Sequence, residues 1–262
     1  MEPNDFLPAA ITLKDLLQQE HISKQTSIVT FSQSLDAILG GSGIICGQII
    51  EIFGDKGIGK TTFCIQLALN VQIPKVLKGL EGEAIYIDTE NTLAFQRVRS
   101  MAQELTSHCL KLGVELPTES LLQRINYLKC ENLHHFNDIL DNLDEYLKFK
   151  PAIKLIIIDS LAFLFYSEKE NFREMYRIGK SLHTFVRKHN VGIVITNNMT
   201  TRFEEDSGEI FVPYFGESWH HIPNQRVYFR WLENCRVAEL IKCSTLPTAL
   251  ANYRIIHGGI RD

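Results

Sequence analysis

Short, wholly apolar runs recur along the chain, and helix-length amphipathic stretches separate them. Ile49 to Phe53, Glu83 to Asp88, Leu155 to Asp159 and Gly192 to Asn197 are rich in β-branched residues, and each closes on a polar or glycine-rich turn. That pattern predicts strands buried on both faces. Between them Lys60–Asn70, Phe95–Leu112, Leu133–Leu147 and Phe172–His189 repeat their apolar positions with helical period. Strand and helix in alternation imply right-handed βαβ units, and so an α/β fold with a mostly parallel central sheet flanked by helices. After Gln225 the period changes. "RVYFRWL" and "RVAELIKC" alternate in steps of two around Glu233 and Asn234, which predicts a C-terminal antiparallel hairpin at one end of the sheet, with Tyr253 to His257 as a last strand. Residues 1–26 stand apart as a polar tail and a linker helix, "TLKDLLQQE", whose Thr12 and Asp15 have capping-box spacing. Residues 27–262 form the main domain.

Composition narrows the function classes. A chain of 262 residues, 45% hydrophobic, suits one large domain that buries roughly 70% of its unfolded surface. No eighteen-residue apolar run is present, so no helical membrane span is expected. The start, "MEPNDFLPAA", lacks a basic n-region and does not read as a secretory signal. Six scattered cysteines without a C-x-x-C pair read as reduced thiols, Cys64 inside a helix. The formal net charge of -4 excludes a generally basic surface, so any nucleic-acid contact must be local.

The chemistry concentrates in "GDKGIGKT", residues 54 to 61. Gly54, Gly59, Lys60 and Thr61 satisfy G-x-x-x-x-G-K-T, after a predicted strand and at the start of a predicted helix. Glycines let successive N–H groups face one concavity, and the helix N-terminus adds partial positive charge. Lys60 is expected to neutralise the outer phosphates, and the Thr61 hydroxyl to complete a Mg²⁺ shell. "LIIID" supplies Asp159 at the end of a buried strand as the second metal-holding group. "YIDTEN" ends the strand after the loop's own helix, which places Glu90 as the candidate to orient or deprotonate water, or simply as a solvated acid. Asp88 reads as structural.

"GDKGIGKT", "IDTE", "LIIID" and "ITNNMTT" follow one another in the order found in RecA-type ATPases, and the chain from "IVTFSQSLDAILGG" to "GGIRD" resembles the eukaryotic Rad strand-exchange recombinases. "LLQQEH", "VQIP", "FGESW" and "NNMTT" look closest to the C-type paralogue of that family. The resemblance implies a RecA-like ATPase core that takes ATP and Mg2+, acts with DNA in homologous recombination in the nucleus, and assembles with other paralogues. It assigns phosphate contacts to Gly54, Asp55, Lys56, Gly57, Ile58, Gly59, Lys60, Thr61 and the adjoining Thr62, the metal to Thr61 and Asp159, and the water to Glu90. Arg97 lines up with an arginine that stacks on adenine, a role suited to a planar cation, or it is a solvated helix arginine. "CSTLPT" (243–248) resembles the strip that covers a neighbouring protomer's ATP. His221 matches a histidine near the end of the second DNA loop, or serves as a polar surface residue.

Three departures qualify that resemblance. Asn91 stands where the family has glycine, Asn198 stands where it commonly has a glutamine that senses the terminal phosphate, and the small N-terminal helical domain is missing from this sequence. The DNA-facing segments are ambivalent. The first, "YSEKENFREMYRIGK", carries Lys169, Arg173, Arg177 and Lys180, the last three on one expected helix face, for phosphates or merely for solvent. The second, "TTRFEEDSGEIFVPYFGE", sets Arg202 against Glu204, Glu205, Asp206, Glu209 and Glu217, so strong stand-alone DNA binding is not expected. "FLPA", Phe6 to Ala9, fits the F-x-x-A docking pattern of the family or is plain tail. Three functions stay open at this point: an ATP-clamped assembly subunit, an active DNA-stimulated ATPase, and a phosphate-loop small-molecule kinase.

Overall fold

The computed structural model describes residues 26–166, 172–204 and 208–262. The linker helix, "FLPA", Lys169, Glu205 and Asp206 fall outside them. In chain order the elements are β1 (Ser27–Ile28), α1 (Gln33–Ile38), β2 (Ile44–Ile45), β3 (Ile49–Gly54), α2 (Lys60–Asn70), β4 (Glu83–Asp88), α3 (Phe95–Lys111), α4 (Thr118–Gln123), β5 (Ile125–Lys129), α5 (Leu133–Phe149), β6 (Ile153–Asp159), α6 (Phe172–His189), β7 (Gly192–Glu204), β8 (Gly208–Pro213), α7 (Glu217–His220), β9 (Gln225–Leu232), β10 (Cys235–Lys242), β11 (Ala249–Ile256) and β12 (Gly259–Arg261). The sheet order is β12-β11-β10-β9-β3-β7-β6-β4-β5, with β8 beside β7. The run from β9 to β5 is parallel, and the strands beyond β9 are antiparallel. The mostly parallel sheet and the C-terminal hairpin are therefore as expected. The hairpin is also part of the sheet proper, because β9 lies parallel to the phosphate-loop strand β3.

The alternation of strand side chains divides the core into two layers. Ile50, Ile52, Tyr86, Leu155, Ile157 and Val194 face a layer with α2 and α3, whereas Ile49, Ile85, Ile87, Ile156, Ile158 and Ile195 face α5 and α6. A strand covered on both faces has no polar side to show, which is why these segments read as unbroken apolar runs. Apart from the aspartates that end β4 and β6, a buried charge also lies mid-strand. Glu51 on β3 is fully buried and accepts hydrogen bonds from Arg226 Nε on β9 and, at 2.7 Å, from Asn197 Nδ2 on β7. Arg226 also meets His220 Nδ1 at 2.7 Å. This pairing ties the central strands together just behind the loop that follows β3.

Two expectations need correcting. The second DNA-facing segment is not simply a loop: β7 runs on past the sheet and pairs with β8 as an antiparallel hairpin, Met199 opposite Pro213 and Phe203 opposite Glu209. The last strand is not the end of the sheet either, because β12 adds a further antiparallel strand beyond β11. Among the described residues no helix is long and apolar enough to cross a membrane.

Candidate functional site

β3 delivers Gly54 to the carboxyl end of the parallel strands, between β9 and β7, and the chain reverses there into α2. A Cβ at Gly54 would lie 2.0 Å from the Phe229 carbonyl oxygen, so the close approach of β9 demands glycine. Gly59 caps α2 at φ +117°, a left-handed conformation that side chains resist. The Tyr253 hydroxyl donates to the Ile58 carbonyl at 2.9 Å and braces the loop from β11. A cleft of about 320 Å³ opens over the loop, lined by Lys56, Gly57, Gly59, Lys60, Thr61, Thr62, Glu90, Thr92, Asp159, Asn198 and Ile255. Gly54, Asp55 and Ile58 do not line it. Gly54 makes the turn, Ile58 is buried in the core, and the Asp55 carbonyl accepts from Lys60.

Lys60 folds back over the loop and donates to Gly54 O at 2.7 Å and Asp55 O at 3.0 Å. Burial lowers its pKa, and the nearby Asp159, Glu90 and Asp55 carboxylates work against that loss. Thr61 Oγ1 donates to Asp159 Oδ2 at 2.8 Å, so the two expected metal-holding oxygens already meet. Tyr86 OH donates to the same Oδ2 at 2.6 Å, and Thr196 Oγ1 donates to Oδ1. Burial, followed by the Asp159 charge, pushes the Tyr86 phenol well above its usual range, so it stays a donor. An oxygen-rich pair beside a lysine held only by loop carbonyls, among the described residues, is the donor set that a nucleotide triphosphate with Mg²⁺ requires.

Glu90 is held from the far side of the cleft. The strand ends of β4 and β6 are laced by Thr89 Oγ1 to Ser160 O, 2.7 Å, and Ser160 N to Thr89 Oγ1, 2.9 Å. Ser160 Oγ then donates to Glu90 Oε1 at 2.6 Å, and Asn198 Nδ2 donates to the same oxygen at 3.0 Å. Asn91 follows at φ 53°, so asparagine does take the left-handed conformation where the family has glycine. Asp88 is structural as read: its carboxylate accepts from Thr92 N, Leu93 N and Tyr127 OH.

Asn198 shows what the shorter side chain does. Besides Glu90, its Nδ2 contacts Tyr166 OH at 2.9 Å. Tyr166 packs edge-on against Tyr214, ring centroids 5.0 Å apart, and Tyr214 N donates to Asn198 O at 2.8 Å. Tyr166 opens the first segment expected to face DNA, and Tyr214 lies in the second, just after β8. These residues were missed in the sequence, where only Asn198 carried a signal.

The remaining candidates disperse. Arg97 donates from Nη1 to His257 O and from Nη2 to Ile256 O, 2.6 Å each, at the end of the strand that brings Ile255 to the cleft. Arg173 and Lys180 are exposed on α6, but Arg177 is paired with Glu174 at 2.9 Å and with Asp141 of α5 at 3.4 Å. The Arg202 guanidinium lies against Gly216. Phe203 and Phe211, which carry no signal in the sequence pattern, are 79% and 69% exposed on the β7–β8 hairpin. His221 is exposed, and 243–248 run along the surface from β10 to β11.

A glycine-turned phosphate loop facing a strand-end aspartate, on a mostly parallel sheet with an antiparallel extension, defines a RecA-like phosphate-loop protein. The Rad51 family model matches residues 21–262, and the chain belongs to the Rad51 family. It is 33% identical over 266 residues to DNA repair protein RAD51 homolog 3 of Dictyostelium discoideum, covering 96% of this chain and 69% of that one. The same-named protein of Cricetulus griseus is 32% identical, over 96% and 72% of the two chains. The DNA repair and recombination protein RadA of Metallosphaera sedula is 34% identical, over 94% and 75%.

Proposed function

We propose that this protein is a recombination paralogue that holds Mg²⁺-ATP in the loop at residues 54–61 and works in the nucleus in homologous recombination, double-strand break repair and meiotic recombination, assembling on DNA with other paralogues. The observation that carries the nucleotide reading is the Thr61–Asp159 hydrogen bond at the mouth of the loop. Two oxygens brought together beside Lys60 form a metal-holding pair, and Lys56, Gly57, Gly59, Lys60 and Thr61 border the same cleft at a helix N-terminus. Lys60 is the cation for phosphate oxygens, with the carbonyls of Gly54 and Asp55 as its resting partners. When bound, Mg²⁺ would draw off charge from the phosphates and so favour transfer to water.

Glu90 keeps one oxygen on Ser160 and Asn198, which leaves Oε2 without a partner among the described residues. That oxygen can orient a water or take its proton. The arrangement supports a clamp that hydrolyses slowly, with an active DNA-stimulated ATPase as the second reading, favoured by that one free oxygen. Family membership removes the support for a small-molecule kinase. Phosphate release by the full chain with Mg²⁺-ATP, with and without single-stranded DNA, separates the two. Slow release that Glu90→Gln does not change supports the clamp. Release that DNA raises and that Glu90→Gln lowers by about 100-fold or more supports the enzyme.

A further inference from the structure

The C-terminal strands carry a second cleft, about 340 Å³, that shares no residue with the nucleotide site; Trp231, Asn234, Arg236, Asn252, Arg254 and Asp262 line it. Trp231, Arg236 and Tyr253 stand opposite one another across β9, β10 and β11. The Arg236 guanidinium lies over the Trp231 indole, 4.3 Å from its centroid. Its Nε is buried without an acceptor, and no carboxylate pairs with it among the described residues. Buried donors are nearly always satisfied, and an arginine has five to satisfy.

The charges around it are already committed. The Asp262 carboxylate accepts from Ser32 Oγ at 2.6 Å, Gln33 N at 2.9 Å and Ser34 N at 3.1 Å, the cap of α1. Its main-chain oxygen takes Nε and Nη2 of Arg254. Arg236 is the cation left over. Beside it Trp231 is 47% exposed, an apolar surface at the hairpin end.

We propose that this cleft receives one carboxylate side chain flanked by apolar residues, presented by a segment of a partner protein. Arg236, fixed in plane by the indole, takes the carboxylate. The exposed amide of Asn234 serves the segment's remaining polar groups, and Trp231 covers its apolar neighbour. A nucleic-acid backbone fits poorly. It brings a row of phosphates to a single uncommitted guanidinium, with the Asp262 carboxylate in the wall and Glu233 at the hairpin turn to repel them. The row of side chains also reaches the nucleotide site, since Tyr253 donates to Ile58 O, but the proposal stands without a nucleotide.

The test titrates the full chain with the blocked peptide acetyl-Leu-Glu-Leu-amide and follows tryptophan fluorescence. The other tryptophan, Trp219, is only 1% exposed, so the response should come from Trp231 and vanish in Trp231→Phe. A saturable response is expected, weakened about tenfold or more by glutamine in the peptide or by Arg236→Gln, as removal of a charge-assisted hydrogen bond implies. Asn234→Asp, at an exposed turn position in the cleft wall that does not threaten folding, should weaken it by a similar factor. No saturation, or equal binding of the glutamate and glutamine peptides, overturns the proposal. So does tighter binding at the same Trp231 signal by inorganic phosphate or by a thymidine oligonucleotide, which would assign the cleft to phosphate or to nucleic acid.

Discussion

The nucleotide side of the molecule and the side proposed to face DNA are built on opposite principles. Around the phosphate loop, short hydrogen bonds converge from several strands: Asp159 alone collects Thr61, Tyr86 and Thr196. On the DNA-facing side, Arg177 is spent on Glu174 and Asp141, Arg202 rests on Gly216, and two phenylalanines stand in solvent. A site that must hold a compact polyanion is preorganised by buried geometry. A surface that meets an extended strand can rely on stacking, because every base offers an aromatic face. On the function proposed above, that difference puts specificity for nucleotide in the fold and leaves DNA binding to the exposed rings and to Arg173 and Lys180, exposed cations without an ion pair among the described residues.

The sharpest way to break this comparison is at Lys60. Lys60→Ala should lower Mg²⁺-ATP affinity by about 100-fold or more, since it removes a largely buried cation from the phosphates. Calorimetric titration checks it, and affinity within a few-fold of wild type would mean that the loop does not hold the phosphates. The next effect concerns the other side. Phe203→Ala with Phe211→Ala should weaken binding of a thymidine oligonucleotide by roughly tenfold, because the bases have no ring to stack on. Arg173→Ala with Lys180→Ala should mainly flatten the salt dependence, by about 0.7 in the log–log slope for each phosphate no longer neutralised. If the cation pair carried nearly all the affinity, fluorescence anisotropy at several salt concentrations would show it, and the aromatic reading would fall.

Smaller effects sharpen the boundary between the two sides. Asn198→Ala removes a donor from Glu90 and the link to Tyr166, so phosphate release should change by several-fold, on the scale of one hydrogen bond, while ATP affinity stays within about twofold. An unchanged rate would mean that Asn198 is only packing. Least of all, Arg177→Ala should cost less than about 0.5 kcal/mol of stability, because its ion pairs are partly solvated, and should leave DNA affinity unchanged. Denaturant unfolding and anisotropy test the two halves of that statement.

Most of the fold that frames the nucleotide was legible because buried parallel strands and their helices announce themselves locally. Glu83–Asp88, Lys60–Asn70 and Phe172–His189 match the expected spans. β5 escaped because an edge strand with one neighbour keeps polar positions, here Asn126 and Lys129, and its burial is only partial. β8 escaped because its pairing partner is the outer part of β7, not the core, and the acidic run hid its alternation. At the site, residues within one motif could be placed by spacing alone. The Glu90–Asn198–Tyr166 hydrogen bonds could not, since they join three separate segments of the chain. Arg177 illustrates the same limit in reverse: its helix face was right, but the competing Asp141 comes from another helix.

The most direct measurement is ATP binding by calorimetry with Mg²⁺ and then with EDTA, for the wild type and Asp159→Asn. A nucleotide held as described should bind at least about tenfold more tightly with Mg²⁺, and Asp159→Asn should erase most of that advantage. Equal binding with and without the metal in both proteins would contradict the assignment of Thr61 and Asp159 as its holders.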